Sequence, residues 1–299
     1  MVILKMNDIS NNLNIHALNP CQTKYKYPRC SFSNEPSERA YVLGLRSGDI
    51  YARKHYRSVI VEVTSPKSEQ IEMFKNIFSK YGKIICYEKR SKVTGKTTRA
   101  YCFLNESFNF LIQKTQLIPD WILKNNSLFY SFLSGYVDSE GSWIITEHKK
   151  YDGKYKDLVF SLGTCDKVIL EQVHRKLKEL GFNSHFYLVR KAGVHTNIGI
   201  CNFDLYRVML MRAKDVIKLA KILLPLSKHE GKRDKILKII ELEPSFKRML
   251  SPEIPCPLCN HKKIWRRGSG EGKIKYQRYI CPNCKKNFSE KTLRVSSNA

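Results

Sequence analysis

An internal repeat covers most of the chain and limits the folds that it can adopt. Aligning Gly44 with Gly135 places the same elements in the same order in two copies: a short apolar helix, a hairpin, a longer helix, a second hairpin and a closing helix. Self-similarity at a fixed period predicts two equivalent structural units in one chain. We therefore expect an α+β fold of two pseudo-twofold αββαββα repeats, each with a saddle-shaped antiparallel sheet.

Alternating apolar residues and turn residues place the elements within each copy. Gly82 and Gly181 follow the two longer helices and are expected to cap their C-termini. In the first copy the pattern predicts a hairpin over 57–64, a helix over 68–81 and a hairpin over 83–104 that turns at Thr94-Gly95. In the second copy it predicts a hairpin over 158–164, a helix over 166–180 and a hairpin over 185–202 that turns near Ala192-Gly193.

Proline positions and composition set the expected domain boundaries. Pro244, Pro252 and Pro255 interrupt helix and favour extended chain, so they mark a linker. Cys21 and Cys30, near the N-terminus, have no second cysteine pair beside them and are expected to be free thiols. The expected parts are an N-terminal extension over 1–36, repeats over 37–126 and 127–245, and a C-terminal module over 250–299.

Two C-x-x-C pairs in the C-terminal module have the spacing of a metal site. They read C-P-L-C and C-P-N-C, are separated by 21 residues, and place Cys256, Cys259, Cys281 and Cys284 on two turns. Two such turns facing each other form a tetrahedral four-sulfur site for Zn²⁺, and this zinc would be structural because four sulfurs leave no open position. The alternative is a redox pair, but that needs a single motif at a strand-to-helix turn.

The segment between the cysteine pairs is basic and aromatic. Trp265 and Tyr276 are interleaved with Lys and Arg, which suits phosphate contacts combined with stacking. Tyr279 and Phe288 lie next to the second pair and are expected to cover the metal turns. The stretch from Gly272 to Phe288 resembles the zinc ribbons of transposases and other DNA-binding proteins.

The charge balance points to a polyanionic partner. The chain has 53 Lys and Arg against 27 Asp and Glu, a formal net charge of +26, with a hydrophobic content of 42% that excludes a disordered basic tail. Nucleic acid is the first expectation and an anionic membrane surface the second. No run approaches the ~18 apolar residues of a membrane span. Because residues 1–10 lack a signal-peptide pattern, we expect an intracellular protein, in the cytoplasm of a prokaryote or in an organelle.

The two short apolar helices carry the most informative residues. Small residues at three- and four-residue spacing, including Gly44 and Gly135, let two helices approach closely. Asp49 closes the first helix, and Asp138 and Glu140 close the second. An acid at a helix C-terminus is unfavourable by ~0.3–1 kcal/mol without a partner. Helices packed in parallel would join Asp49 and Glu140 in a negative pocket, which either a hard cation such as Mg²⁺ or a lysine would neutralise.

The same two segments resemble the paired motifs of the LAGLIDADG homing endonucleases. They read V-L-G-L-R-S-G-D-I from Val42 and L-S-G-Y-V-D-S-E-G from Leu133, and the resemblance covers about 37–240. It is closest to the single-chain, two-motif, archaeal-type members, which implies a monomer. The family also implies an intron-homing, site-specific endonuclease that cleaves double-stranded DNA, uses Mg²⁺ or Mn²⁺ and leaves short 3′ overhangs.

The resemblance implies roles for individual residues. The eighth residue of each family motif is the metal-binding acid, which falls on Asp49 and Glu140. Basic residues near the cleaved phosphates are implied at Lys67 and Lys167, which match by position in the two copies. The two sheets would lie over the major groove and offer basic side chains to phosphates and base edges. The candidates are Arg57, Lys89, Arg90, Lys92, Lys96, Arg99, Lys154, Lys156, Arg190 and Lys191 in the repeats, with Arg266 and Arg267 in the ribbon.

The first motif departs from the family pattern at two positions. Ser47 stands where Asp is frequent, and Ile50 stands where Gly is usual, which can alter the bend that aims Asp49. Two other classes of function stay open. One is a non-catalytic nucleic-acid-binding protein on the same fold, either an RNA maturase or a DNA-binding regulator. The other is a zinc-ribbon accessory protein of transcription or transposition whose central domain only dimerises.

Overall fold

The chain divides into two compact units, Met1–Ile240 and Glu241–Ala299. The computed structural model describes residues 21–22, 27–91, 95–150, 153–196, 199–243, 255–261, 264–270 and 276–289. Across these ranges, no helix combines the length and the apolar character that crossing a membrane requires.

The first repeat joins helices to a four-stranded antiparallel sheet. From the N-terminus the elements are β1 (Cys21–Gln22), β2 (Arg29–Cys30), α1 (Pro36–Ser47), β3 (Tyr51–His55), β4 (Ser58–Ser65), α2 (Ser68–Phe78), β5 (Ile84–Ser91), β6 (Gly95–Leu104), a 3₁₀ helix (Glu106–Leu111) and α3 (Asp120–Leu123). The sheet order is β3-β4-β6-β5. Pro36 opens α1, where its fixed φ suits the first helical turn.

The second repeat has the same topology. Its elements are α4 (Asn126–Glu140), β7 (Gly141–Lys150), β8 (Gly153–Thr164), α5 (Lys167–Glu179), β9 (Ser184–Arg190), β10 (His195–Thr196), β11 (Gly199–Ile200), β12 (Leu205–Leu210), α6 (Ala213–Leu223) and α7 (Glu230–Glu241). Its main sheet is antiparallel in the order β7-β8-β12-β9. The matching order confirms the predicted α+β fold of two αββαββα repeats.

The opening hairpins are larger than the predicted ranges 57–64 and 158–164, which lie within β4 and β8 and the adjoining turn. In the first repeat, β3 precedes a turn at Tyr56 and Arg57, so Arg57 lies in the turn. Only Ala52 is buried in β3, and the apolar alternation that marks a strand is therefore weak there.

The closing hairpin of the second repeat was predicted to end at residue 202, and this is wrong. The chain does turn at Ala192 and Gly193, but it then forms the small hairpin β10–β11 before β12 returns to pair with β9. Strands of two residues carry no readable alternation, so the sequence pattern merged the small hairpin with the main sheet. The turn predicted at Thr94 falls outside the described residues.

The glycines after the two longer helices serve different purposes. Gly181 has φ +82° and continues the chain after α5, as predicted for a C-terminal cap. Gly82 does not cap α2, because α2 ends at Phe78 and Ser79 takes that place. A Cβ on Gly82 would lie 2.7 Å from the carbonyl oxygen of Phe103, so this glycine provides space for the strand beside it.

Helices α1 and α4 touch along their backbones. A Cβ on Gly44 would lie 2.0 Å from the carbonyl oxygen of Phe132, and one on Gly135 would lie 2.0 Å from that of Tyr41. The small residues therefore permit the close approach that their spacing predicted. This contact brings the C-terminal ends of the two motif helices together.

Helices cover one face of each sheet. α2 packs on β4 and β6, while α5 and α6 pack on the second sheet. Residues directly opposite each other in an antiparallel ladder share a face. Val61 and Cys102 are such a pair and are both buried, so they belong to the covered face. The other faces, here called the first and second open faces, contain Arg53, Tyr87, Lys89, Arg99, Tyr101 and Phe103 in the first and Ile144, Tyr187 and Arg207 in the second.

The N-terminal segment 27–33 packs on the first repeat. Phe32 is 2% exposed, and its ring lies 5.1 Å from that of Phe108 and 5.8 Å from that of Tyr81. Cys30 is disulfide-bonded, which corrects the prediction of a free thiol. The pairing of β1 with β2 sets Cys30 opposite Cys21, a juxtaposition that the linear spacing of the cysteines did not reveal.

The C-terminal unit contains a three-stranded sheet of β13 (Trp265–Gly270), β14 (Tyr276–Ile280) and β15 (Asn287–Ser289), in that order. Tyr279 and Phe288 are buried beside the cysteines with ring centroids 5.6 Å apart. They therefore cover the metal turns, as predicted, whereas Trp265 is 60% exposed.

Candidate functional site

Asp49 and Glu140 meet at one end of the α1–α4 pair. α1 ends at Ser47 and is capped by Gly48, which places Asp49 just past the helix, whereas α4 continues through Glu140 and is capped by Gly141. A Cβ on Gly48 would lie 2.4 Å from the Cβ of Ser139, so the two helix ends are in contact.

The carboxylates form a negative pocket. Burial raises the pKa of Glu140, and the charge of Asp49 raises it further, against the opposing effect of Lys232 and Lys114. The carboxylate oxygens are ligands that Mg²⁺ prefers, and a divalent cation would relieve this repulsion, so the pair fits such an ion. Among the described residues, no third His, Cys, Asp or Glu joins them in a ligand cluster.

The Asp49 side is organised by α2. Gln70 is buried and its Nε2 donates a hydrogen bond of 2.9 Å to Oδ2 of Asp49. Lys67 occupies the N-cap position of α2, and its backbone N–H donates to Oγ of Ser65 at 3.1 Å. The charge of Lys67 acts on Lys232 at the same site.

Lys167 does not occupy the position equivalent to Lys67. The N-cap of α5 is Asp166, and its backbone N–H donates to Oγ1 of Thr164 at 3.1 Å, which repeats the geometry of Lys67. Lys167 is one residue further on and lies 3.7 Å from a carboxylate oxygen of Glu171. Aligning the two lysines in the sequence therefore shifted the second copy by one residue.

In the second repeat Asp166 stands where the first repeat has Lys67, and Lys114 provides a cation there instead. Its ammonium lies 2.9 Å from Oδ2 of Asp166, and its charge lowers the pKa of Glu140. Lys114 comes from the segment between the 3₁₀ helix and α3 of the first repeat. The sequence repeat gives no register for it, and it was not among the predicted residues.

Lys232 makes three hydrogen bonds at the site, and it was not among the predicted residues. Its Nζ donates to the carbonyl oxygens of Val137, Asp138 and Ser139 at 2.6, 2.6 and 2.8 Å. It thereby neutralises the negative C-terminal end of α4. Burial lowers the pKa of Lys232 to about 8, while the carboxylates of Asp138, Asp49 and Glu140 oppose that shift.

Asp138 stabilises the structure around the site. Its carboxylate is fully buried and accepts hydrogen bonds from the hydroxyls of Tyr41 and Ser227, both at 2.6 Å, and from the backbone N–H of Lys228 at 2.7 Å. It fixes the loop that leads to Lys232. The sixth residue of the first motif, Ser47, only returns its hydroxyl to the carbonyl of Leu43 at 3.0 Å.

Ile50 is accommodated without a glycine. Its side chain is buried, and its carbonyl accepts a hydrogen bond of 3.1 Å from Nη1 of Arg46. In the second motif a Cβ on Gly141 would lie 2.6 Å from Cγ1 of Val137, so that position has no room for a side chain. The difference arises because α1 is capped two positions earlier, at Gly48, than α4.

The predicted basic residues of the first sheet are distributed over both faces. Lys89 and Arg99 lie on the first open face, where Arg99 is paired with Glu62. Lys96 and Arg90 are opposite each other on the other side of the strands, and Lys96 lies 2.5 Å from Glu88. Lys92 is outside the described residues.

In the second sheet the basic candidates lie near the strand ends. Lys156 is exposed and opposite Glu147, Nη1 of Arg190 lies 3.0 Å from the sulfur of Cys201, and Lys191 is exposed just past β9. The side chains of Lys154, Arg266 and Arg267 are outside the described set. Arg53 and Arg207 lie on the open faces and were missed, because each stands in a strand whose alternation or register the sequence left ambiguous.

The four cysteines of the C-terminal unit form a second candidate metal site. Their sulfur atoms all lie within 4.8 Å of one another, with Cys256 and Cys284 3.7 Å apart and Cys259 and Cys281 3.5 Å apart. A tetrahedron with Zn–S bonds of about 2.3 Å has edges of roughly 3.8 Å, so the sulfurs fit Zn²⁺.

The two cysteine turns have the same backbone geometry. Cys256 N–H donates to the carbonyl of His261 at 3.0 Å, and Cys281 N–H donates to that of Lys286 at 3.1 Å. Asn260 and Lys285, one residue before each acceptor, have φ +55° and +59°. A backbone hydrogen bond from His261 lowers the pKa of Cys259 to about 6, which favours the thiolate that a metal requires.

Comparisons with known proteins give distant similarities. No protein-family model matches the sequence. An uncharacterised protein of Methanocaldococcus jannaschii is 27% identical over 157 residues, which is 51% of this chain and 58% of the relative, so the match spans less than two thirds of that relative's length.

Three solved structures are similar at low identity. The homing endonuclease I-WcaI bound to its DNA recognition sequence is 18% identical, with a TM-score of 0.46 over 67% of this chain and 86% of that one. The LAGLIDADG homing endonuclease I-SmaMI bound to cleaved DNA is 14% identical, with a TM-score of 0.44 over 75% and 94%. The N-terminal LAGLIDADG domain of WhiA is 14% identical, with a TM-score of 0.40 over 64% and 84%.

Proposed function

We propose that the chain is a site-specific double-strand DNA endonuclease of the intron-homing type that leaves short 3′ overhangs. The observation that carries the proposal is the joining of Asp49 and Glu140 at the touching ends of α1 and α4. Burial and the charge of Asp49 keep the pKa of Glu140 raised even with Lys232 and Lys114 nearby, so a bound divalent cation would further stabilise the two carboxylates. Both acids stand at the eighth position of their motifs, where the resemblance implies metal ligands.

Asp49 and Glu140 would hold Mg²⁺ or Mn²⁺. When bound there, the cation lowers the pKa of an attacking water and stabilises charge on the phosphate and the leaving oxygen. Gln70 keeps the Asp49 carboxylate in a fixed orientation through its 2.9 Å hydrogen bond. A fixed ligand orientation raises metal affinity, as outer-shell partners generally do.

Three lysines surround the acids and are suited to phosphate. Lys67 lies at the start of α2, Lys114 pairs with Asp166 at the start of α5, and Lys232 lies at the end of α4. Their charges lower the cost of bringing a polyanionic backbone against two carboxylates. Lys167, for which the family implied the same role, is placed with Glu171 instead, so we assign that role to Lys114.

Double-stranded DNA is the substrate that the two open faces suit. They are related by the repeat, carry Arg53, Lys89 and Arg207 among apolar and aromatic residues, and belong to sheets whose first strands begin just after Asp49 and Glu140. Phosphate contacts would position the duplex and base-edge contacts would specify the site. Because one chain supplies both acids, the proposed enzyme acts as a monomer.

The C-terminal unit would add affinity for flanking DNA. Four sulfurs at tetrahedral spacing leave no open position for chemistry, so the proposed Zn²⁺ is structural. The exposed indole of Trp265 lies in a segment rich in Lys and Arg, and such a combination suits backbone contact with stacking.

The decisive experiment is a Mg²⁺-dependent cleavage assay on DNA that spans the uninterrupted insertion site of the host gene. Asp49→Asn and Glu140→Gln should each reduce cleavage by more than about 100-fold, since even outer-shell partners of metal ligands cost 10–100-fold. DNA affinity should be retained. Glu147→Gln, an exposed acid on β7, is the matched control and should cut normally.

Two results would overturn the proposal. Undiminished cutting by both acid variants would exclude the metal pair as the catalytic centre. Tight, specific binding by the wild type without any cutting, with or without Mg²⁺, would instead identify a non-catalytic nucleic-acid-binding protein on the same fold.

A further inference from the structure

A cationic, aromatic surface of the first repeat is left unexplained by the acid pair. It is formed by Arg29 of the N-terminal segment and by Tyr56 and Arg57 in the turn between β3 and β4, and we call it the basic lip. The segment from Arg53 to Ser58, which includes this turn, contains three cations and no acid. Tyr56 is 87% exposed, and Arg57 is also exposed.

Arg29 is held on the first open face. Its Nη1 donates a hydrogen bond to Oγ of Ser58, and its guanidinium lies 5.3 Å from the ring centroid of Phe103. Ser58 and Phe103 both belong to that face, since each stands opposite a residue that does. A guanidinium stacked on a ring keeps its plane fixed, which suits the bidentate recognition of phosphate.

Aromatic contacts join the two parts of the lip. The ring of His55 lies 5.5 Å from that of Phe103 and 4.9 Å from that of Tyr56. Tyr56 has φ +50°, a conformation that residues other than glycine seldom adopt. The phenol ring is therefore held out at the end of a continuous row of rings, which begins under Arg29.

The N-terminal segment is anchored firmly enough to present Arg29. Phe32 is enclosed by aromatic rings, its backbone N–H donates to Oγ of Ser107 at 2.8 Å, and that of Cys30 donates to the carbonyl of Tyr81 at 2.9 Å. These contacts tie the segment to the residues just past α2 and to the 3₁₀ helix of the first repeat.

We propose that the basic lip is a phosphate-binding extension of the first open face, which holds the backbone of double-stranded DNA beyond the central site. The proposal rests on the proposed function, because it assumes that DNA occupies the open faces. It gives the N-terminal segment a role: Arg29, bonded to Ser58 at the start of β4, extends the row of DNA contacts beyond that end of the strand.

The test compares two double variants of the full chain. Arg29→Gln with Arg57→Gln removes the lip cations, and Arg175→Gln with Arg212→Gln removes two exposed arginines from elements on the covered side of the second sheet. Affinity for a random-sequence duplex is measured over a salt series. The lip variant should reduce the slope of log K against log salt by about 1.8, that is 0.9 for each lost phosphate contact, and the control should not.

Further arms keep the outcome interpretable. Arg29→Lys retains the charge and should keep most of the slope, and thermal unfolding of each variant verifies the fold. Equal slopes for the lip variant and the control would contradict the proposal that the basic lip binds phosphate. If Arg53→Gln with Lys89→Gln weakens DNA binding while the lip variant does not, the proposal for the basic lip is wrong and the proposed function stands. If the wild type binds duplex DNA without salt dependence, the proposed function fails.

Discussion

The Asp49 and Glu140 ends of the central helix pair carry equivalent acids in different surroundings. Asp49 accepts a hydrogen bond from Gln70 on the helix that follows it in its own repeat. Among the described residues Glu140 has no such partner on α5, since the residue equivalent to Gln70 is the buried Ile169. It faces Lys232 and Lys114 instead, which come from segments outside the register of the repeat.

The pseudo-twofold symmetry of the molecule is therefore a symmetry of the backbone and not of the polar side chains. Gly44 and Gly135 are in mutually equivalent contacts at 2.0 Å, and the two sheets have the same strand order. The polar partners of the two acids are not equivalent, because the charge that needs a partner differs between the two helix ends. α4 ends on a carboxylate with its C-terminal carbonyls exposed to Lys232, whereas α1 ends earlier, at Gly48.

Substitutions in the symmetric contact between α1 and α4 should have the largest effect on stability. Gly44→Ala and Gly135→Ala each force a methyl group to within 2.0 Å of a carbonyl oxygen, and each should lower the free energy of unfolding by about 3 kcal/mol or more, the upper range for overpacking. Urea denaturation measures the loss. Gly163→Ala is the control, because its Cβ would be no closer than 3.4 Å to a neighbour. Unequal losses at Gly44 and Gly135 would contradict the symmetric packing.

Removing Lys232 tests the asymmetric contacts at the end of α4. Lys232→Met eliminates three hydrogen bonds to the end of α4 and should lower the free energy of unfolding by about 2 kcal/mol, as expected for charged partners of helix carbonyls. Lys235→Met changes an exposed lysine of the same helix and should cost little. Equal losses in the two variants, measured by urea denaturation, would mean that Lys232 does not support α4.

The smallest effect concerns the pH dependence of stability. The pKa of Glu140 is raised in the folded protein, so the stabilisation by its protonated form is complete below its unfolded pKa of about 4.3 and is lost as pH rises through the folded pKa. Glu140→Gln lacks this loss. At pH 7 with a chelator, it should be more stable than wild type by roughly 0.5 kcal/mol, the size of a like-charge repulsion.

The advantage of Glu140→Gln should disappear at pH 4 and in saturating Mg²⁺, where the wild-type carboxylate is neutral or has a partner. Chemical denaturation at both pH values measures it. A difference in stability that stays constant across these conditions would show that Glu140 keeps its ordinary pKa and is not repelled by the charge of Asp49.

Much of the fold could be predicted because its signals are local. Helix α5 and the second strand of each opening hairpin have strong apolar periodicity, and Gly181 marks a helix end. β3 and the hairpin β10–β11 could not be predicted, since a strand with one buried residue or only two residues has no measurable alternation. The disulfide at Cys30 has no signal in the linear spacing of the cysteines, and Cys21 comes to lie opposite Cys30 only when β1 pairs with β2.

The repeat, the two small-residue helices, the acids at their ends and the four-cysteine spacing can be read from the chain alone, because they are patterns of residue type along one element or turn. Which cations lie beside the acids is visible only in the folded protein. Lys114 and Lys232 reach Glu140 from distant segments, and Asp166 takes the place that the alignment gave to Lys167. Charge compensation acts through space, so its partners need no fixed separation along the chain.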